Sequence, residues 1–261
     1  MGSVDGVLLD IDGVLTVSWE PIPGAVDAIS WLRERQVPFR LITNTTTHPR
    51  AELAQTLRAA GFDVRAEEVV TAVVATASYL RSHHPGVGVF VLSDGDPRGD
   101  LEGIRLVALE EAEVIVLGGA CEAFSYEAMN GVFRRIMEGA ALVGMHRNLY
   151  WRTSEGLQLD AGAYIAGLEE ATGRHATICG KPQAAFFEEA LRLLGVPAER
   201  AAMVGDDVVN DVLGAQRAGL TGVLVRTGKF LPSDLEREEG RPDHVLGSVA
   251  DLPAWLETRT T

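Results

Sequence analysis

Val7-Leu8-Leu9-Asp10-Ile11-Asp12-Gly13-Val14-Leu15 is the stretch on which the fold turns. An unbroken aliphatic run that stops at a turn residue reads as a strand buried on both faces, in the middle of a parallel sheet. This run stops in Asp-Ile-Asp-Gly, which puts charge at the carboxyl edge of the sheet, where open α/β folds bind ligands. Alternation along a strand would turn Asp10 and Asp12 to the same side. Two carboxylates about 4 Å apart repel by about 4 kcal/mol at an effective dielectric of about 20. A cation between them, or a retained proton, is therefore expected. Asp-Gly taken singly is an ordinary turn. The functional reading gains weight because the same design recurs along the chain.

Outward from this strand, Pro21-Ile22-Pro23-Gly24 is a turn. Ala25, Ala28, Ile29 and Leu32 then share one face of a helix over 25–36. A second strand over 37–43 ends in Thr43-Asn44-Thr45-Thr46-Thr47. Pro49 opens another helix, with Leu53 and Leu57 inward and Gly61 as its stop. Strand and helix alternating at short intervals imply a parallel sheet with covering helices. From about Tyr79 strands are expected over 88–92, 113–117 and 141–145. Helices are expected over 125–138, with Ser125 as N-cap, and over 162–172. No strand in this block ends in paired carboxylates. The opening style resumes with a short strand over 176–179, Gly180-Lys181-Pro182, and an amphipathic helix over 183–194. A buried strand over 201–205 follows, running into Gly205-Asp206-Asp207-Val208-Val209-Asn210-Asp211. A helix over 212–218, strands over 222–225 and 244–246 and a helix over 248–257 complete the pattern. The fold class is α/β, a Rossmann-like doubly wound parallel sheet in residues 1–79 and 177–261. An α/β module, residues 80–176, is inserted between its halves.

A formal net charge of −14 argues against nucleic acid or an anionic membrane as partner. Cys121 and Cys179 stand far apart without CxxC spacing, which suits small core residues in a reducing, cytoplasmic setting. No apolar run approaches the length of a membrane span, and no secretory segment is recognisable.

Each core strand delivers a different tool at its carboxyl end. These are Asp10 with Asp12, Thr43 with Asn44, Lys181, and Asp206 with Asp207. Few carboxylates, with waters and a substrate phosphate, describe a magnesium site rather than a calcium cage. Zinc would prefer a His and Cys cluster, and the sequence offers none there. Thr43 and the amides after it can donate to phosphate oxygens, and Lys181 adds a compact positive charge. Phosphoryl transfer needs positioning and charge neutralisation above all, and this set supplies both.

The ordered motifs DxDGVL, a strand ending Thr-Asn, GKP and GDDxxxD resemble motifs one to four of the haloacid dehalogenase superfamily of phosphatases. The insertion resembles the large (C2-type) α/β cap of its subfamily IIA, which holds the NagD-like and p-nitrophenyl-phosphatase-like enzymes. Residues 39–47, 150–168 and 180–227 look like the branch containing phospholysine phosphohistidine inorganic pyrophosphate phosphatase. The resemblance spans nearly the whole chain. It implies Asp10 as nucleophile, forming an aspartyl-phosphate, and Asp12 as general acid and then base. It implies Thr43 and Asn44 as phosphoryl-binding residues and Lys181 as their charge balance. Magnesium is implied on Asp10, the Asp12 carbonyl and Asp206, with Asp207 and Asp211 in the outer shell. Animal members of this branch often carry Ser where this chain has Asp12; the chain keeps the ordinary phosphatase arrangement.

His146-Arg147-Asn148 stands where related caps present Asn-Pro-Asp, so His146 and Asn148 are expected to face substrate. Tyr150 and Trp151 are candidates to close over a leaving group, and aromatic core residues otherwise. The expectation is a magnesium-dependent phosphohydrolase for small phosphorylated metabolites, with specificity set by the cap; caps of the type it resembles often form homodimers, and the sequence leaves the oligomeric state open. Hydrolysis of P–N or pyrophosphate bonds is the enzymatic alternative. A phospho-ligand binding protein is the non-enzymatic one, against which the complete set of motif residues speaks.

Overall fold

The computed structural model describes residues 3–153, 156–236 and 240–259. The opening run forms β1 (Gly6–Asp10), all five residues buried. The chain leaves it in a tight turn in which the Ile11 carbonyl accepts from Leu15 and Thr16. A small antiparallel hairpin follows, β2 (Thr16–Val17) with β3 (Glu20–Pro21). The expected amphipathic helix is α1 (Ala25–Glu34), with Ala25, Ala28, Ile29 and Leu32 buried. Next come β4 (Phe39–Thr43), which starts just after Pro38, α2 (Arg50–Ala59) and the short β5 (Val69–Thr71). Thr71 caps α3 (Ala72–His83) by accepting from the Val74 amide at 3.2 Å.

The strands β6 (Gly88–Leu92), β7 (Arg105–Leu106) and β8 (Val114–Leu117) lead to α4 (Tyr126–Met137). Ser125 caps α4 as its sequence position predicted, bonding the Ala128 amide at 3.2 Å. After β9 (Ala141–Gly144) a hairpin, β10 (Tyr150–Thr153) and β11 (Gly156–Leu159), precedes α5 (Ala161–Thr172), which Asp160 caps. The chain continues through β12 (Thr177–Ile178), α6 (Ala184–Leu194) and β13 (Ala201–Gly205). A π-helical stretch, Val208–Leu213, feeds α7 (Gly214–Arg217) where an ordinary helix was expected. Asp207 causes it: its side chain holds the Val209 and Asn210 amides, and its carbonyl accepts from both Asp211 and Val212. β14 (Thr221–Val225), β15 (His244–Leu246) and α8 (Leu252–Glu257) finish the chain.

The residues fall into two compact units, one made of the chain up to Thr43, Arg50–Val70 and from Lys181 onward, the other of Asn44–Pro49 and Thr71–Gly180. The first holds a six-stranded sheet of order β15-β14-β13-β1-β4-β5, with β1 parallel to both β13 and β4. The chain builds outward from β1 on one side and returns to build outward from β13 on the other, which makes the β1–β13 seam the topological switch point. Val7, Leu9, Leu41, Val204 and Val223 pack on one face with Ile29, Leu32 and Leu252. Cutting one of these buried leucines to alanine costs about 2–5 kcal/mol.

The second unit holds a five-stranded sheet of order β12-β9-β8-β6-β7. Here the structure corrects the strand expected over 176–179. Thr177–Ile178 pairs in parallel with β9, so it closes the second sheet and does not reopen the first. A two-residue strand carries no sequence signal for which sheet it joins. Cys179 is buried, and burial pushes its thiol up to about 12, which leaves it an inert core residue. No helix of the described residues is long and apolar enough to cross a membrane.

Candidate active site

Strand register decides which side chains meet. Asp10 lies opposite Ile42 on one side, and Leu9 lies opposite Val204 on the other. One residue farther along the neighbouring strands stands Thr43, and two residues farther stands Asp206. Three of the four motif ends are thus neighbours at the switch point by pairing alone.

Lys181 completes the cluster. Its ammonium donates to Asp10 Oδ1 at 2.6 Å and to Asp211 Oδ1 at 2.7 Å, with all three residues buried. Burial works against the lysine charge, but the two carboxylates outweigh it and raise the Lys181 pKa. Burial in turn raises the Asp10 carboxyl and pushes Asp211 up to about 6, each against the pull of Lys181. Asp211 also receives the Asp207 amide on Oδ2, so both its oxygens are engaged.

Asp206 is held differently. Its Oδ2 accepts from the Lys229 amide at 2.7 Å, while Oδ1, buried, has no hydrogen-bond partner among the described residues. Two glycines wall the carboxylate in. Gly13 (φ +86°) and Gly228 (φ +60°) sit so close that a Cβ on either would fall 2.0 Å from Asp206 Oδ2. Thr227 Oγ1 locks the pair by donating to the Gly13 carbonyl at 2.5 Å. Burial pushes Asp206 up to about 6.

One oxygen from each of Asp10, Asp206 and Asp211 lies within 4.8 Å of the others. Three carboxylates against one lysine leave two negative charges in a buried pocket, a costly arrangement without a counter-ion. A hard divalent cation fits on charge, on donor type and on the orphaned Asp206 oxygen.

Asp12 lies beyond the end of β1, where the chain has already turned at an isolated bridge to Thr16. It is exposed by area, while protein crowding its inner side raises its carboxyl. The expected alternation therefore ends at Asp10: one carboxylate is buried and its neighbour meets solvent. Asn44 is half-buried and falls in the second unit.

Asn148 is exposed on the loop after β9, and His146 stands two residues before it. Its ring is buried, with Nδ1 accepting from the Asn148 amide at 3.3 Å and Nε2 3.8 Å from Asp160. A polar loop residue can serve the loop's own geometry as readily as a ligand, and sequence does not separate the two. Tyr150 is exposed, and the Trp151 side chain lies outside the described residues.

The sequence reading passed over Lys229. Its backbone holds Asp206, and its ammonium stands 3.8 Å from Asp207 Oδ2. A signal was present: among twenty-one arginines the chain has two lysines, Lys181 and Lys229.

Family models match in two places: a haloacid dehalogenase-like hydrolase model over residues 7–106 and an HAD-hydrolase-like model over residues 178–252. The chain is 37% identical over 235 residues to the human haloacid dehalogenase-like hydrolase domain-containing protein 2, covering 90% of this chain and 89% of that one. It is 37% identical over 257 residues to human phospholysine phosphohistidine inorganic pyrophosphate phosphatase, covering 96% and 93%. Among solved structures, the p-nitrophenyl phosphatase from Archaeoglobus fulgidus superposes with a TM-score of 0.90 at 29% identity, covering 97% and 99%. NagD from E. coli K-12 superposes at 0.87 with 26% identity, covering 95% and 98%. The chain belongs to the haloacid dehalogenase-like hydrolases, in their phosphatase branch alongside the p-nitrophenyl phosphatases and NagD.

Proposed function

We propose that this protein is a magnesium-dependent phosphohydrolase that cleaves small phosphorylated substrates through an aspartyl-phosphate. The buried Asp10–Lys181–Asp211 triad beside the orphaned oxygen of Asp206 carries the reading. Magnesium would be held by Asp10, the Asp12 carbonyl and Asp206, where it would neutralise carboxylate and phosphoryl oxygens. Thr43 and Asn44 bind the transferring group, and Lys181 keeps Asp10 ionised despite its burial.

An Asp10 carboxylate oxygen attacks phosphorus as the bond to the leaving oxygen breaks. Asp12 gives its proton to that oxygen. Its raised carboxyl favours the protonated form that this step needs. A water then attacks the aspartyl-phosphate, Asp12 takes the water's proton, and Asp10 and phosphate are released. Asp207 and Asp211 orient Lys181 and the surrounding waters. The second unit, which resembles a cap, is assigned the selection of substrates. The name of the human phospholysine phosphohistidine inorganic pyrophosphate phosphatase, 37% identical over 96% of this chain, favours P–N and P–O–P bonds as a second substrate class.

The test is turnover of p-nitrophenyl phosphate with magnesium and with excess chelator, by the parent and by Asp10→Asn. The proposal expects activity in the first condition alone and none from the variant. An Asp10→Asn protein that keeps more than about a tenth of parental activity removes the nucleophile assignment.

A further inference from the structure

We propose that the second unit carries an anion site of its own, in which Arg81, His84 and Arg105 bind a dianionic phosphate group. The site is a cavity of about 140 Å³ between the end of α3 and the start of β7. None of its residues belongs to the unit that holds the carboxylate cluster, and the inference stands whether or not the proposed function does. It lies at the amino ends of β6 and β7. The loops with Ser93, Asp94 and Asn148 instead leave the carboxyl ends of β6 and β9, the edge where α/β sheets usually bind.

Unmatched charge is the first observation. A chain of net charge −14 has acids to spare, and Arg33, Arg98, Arg147 and Arg200 each pair with one: Glu68, Asp96, Glu169 and Asp5. No carboxylate lines this cavity. Arg105 has neither an ion pair nor a side-chain hydrogen bond among the described residues, and Gly88, opposite it across the strand pair, has no side chain to offer. Arg81 donates to the Glu102 backbone carbonyl at 3.2 Å, while Glu113 at the same edge accepts from the Gly88 amide at 3.3 Å. The Arg81 guanidinium is thereby fixed without being neutralised, and most of its five N–H donors stay open. Basic residues in the last turn of a helix complement its dipole, which by itself would account for Arg81. Arg105 stands on a strand, where that explanation fails.

The shape suits a small, doubly charged oxyanion. Val87 and Ile104, both half-buried, form apolar walls, which lower the local dielectric and strengthen charge interactions. Gly86 (φ +76°) and Gly103 (φ +79°) turn the two loops at the mouth, and a Cβ on either would meet nothing within 4 Å, so the mouth is open. A guanidinium presents paired N–H groups that match two phosphate oxygens, and two of them from different elements grip one phosphate group from two sides. His84 is set beside them by its amide, which donates to the Leu80 carbonyl at 2.8 Å, and by its ring, 5.7 Å from that of Tyr79. Like charges in one concavity repel each other, and a bound dianion relieves that repulsion.

The experiment follows the histidine imidazole signals of the full chain by proton NMR, in chelator and at fixed ionic strength, as orthophosphate or chloride is added. The parent is expected to show a saturable shift of His84 with orthophosphate and none with chloride, with His175 and His244 unmoved. Arg81→Gln and Arg105→Gln should each weaken binding about fivefold or more, while Arg98→Gln, which removes an equal charge from a paired arginine, should leave it unchanged. Both cavity arginines are exposed, so their variants are expected to melt with the parent. Methylphosphonate separates the sources of the group. Binding as tight as that of orthophosphate assigns the site to the phosphate of a larger molecule, and a clear preference for orthophosphate assigns it to the free ion. A shift that never saturates, that chloride reproduces, or that survives both glutamine variants overturns the proposal. So does equal weakening by Arg98→Gln, which would mark a response to net charge alone.

Discussion

Asp206→Asn should make the metal-free protein more stable while removing its response to magnesium. The parent carboxylate is 1% exposed, one oxygen accepts from Lys229, and the other has no partner among the described residues. An ordinary aspartate titrates near 3.8, and burial pushes this one up to about 6. Each tenfold change in proton affinity corresponds to about 1.4 kcal/mol, so keeping Asp206 ionised at pH 7.5 costs the folded state roughly 3 kcal/mol. The sign follows from proton uptake. Between the ordinary value and the raised one the folded state binds more protons than the unfolded state, so stability falls as pH rises through that window. The penalty is absent below the ordinary value, about half present at pH 5 and full above neutrality.

Asparagine keeps the acceptor for Lys229 and puts an uncharged NH2 in place of the orphaned, charged oxygen. In excess chelator at pH 7.5 the variant should melt on the order of 6–12 °C above the parent. At pH 5 the gap should shrink to about half. Added magnesium should raise the parent and leave the variant nearly unmoved. The assay is circular dichroism melting at both pH values, with chelator and with magnesium. A variant that melts at or below the parent at pH 7.5, or a gap unchanged at pH 5, would refute the picture of an unpaired buried carboxylate awaiting a cation.

Gly13→Ala should cost several kcal/mol, of order 2–4, because a Cβ at φ +86° falls 2.0 Å from Asp206 Oδ2. Urea unfolding of the variant, and loss of its magnesium-dependent stabilisation, are the readouts; a near-neutral effect would contradict the packing described. Glu68→Gln should cost about 1 kcal/mol at neutral pH, where Glu68 accepts from Arg33 at 2.6 and 2.8 Å. Burial works against the charge on Glu68, but Arg33 and the Arg65 amide overcome it and hold its carboxyl below the usual range. The contribution is therefore fully present above the ordinary glutamate pKa and is lost as pH falls through the depressed one. The difference in urea midpoints should shrink as pH is lowered below the ordinary glutamate range; a difference independent of pH would assign the effect to packing.

The chain's alternation of strands and helices, and the tools at its strand ends, were legible in one dimension. Their signals are local: the aliphatic run before Asp10, the helical spacing of Ala25, Ala28, Ile29 and Leu32, and Ser125 as a cap. Each needs only backbone geometry and the burial of apolar surface, and a window of a few residues holds both. The clustering of Asp10 and Asp206, 196 positions apart, could be anticipated because a parallel sheet brings strand ends to one edge.

Only the tertiary structure decided the rest. Thr177–Ile178 joined the second sheet, since pairing of so short a strand depends on which edge lies beside it. His146 is buried, its ring accepting from the Asn148 amide of its own loop. Asp206 Oδ2 was walled in by two glycines from segments more than two hundred residues apart, Gly13 and Gly228, while its Oδ1 was left without a partner among the described residues. Such close approach is a property of packed backbones and leaves no local pattern. Lys229 shows both sides: its rarity was written in the composition, but its place beside Asp206 and Asp207 came from the fold.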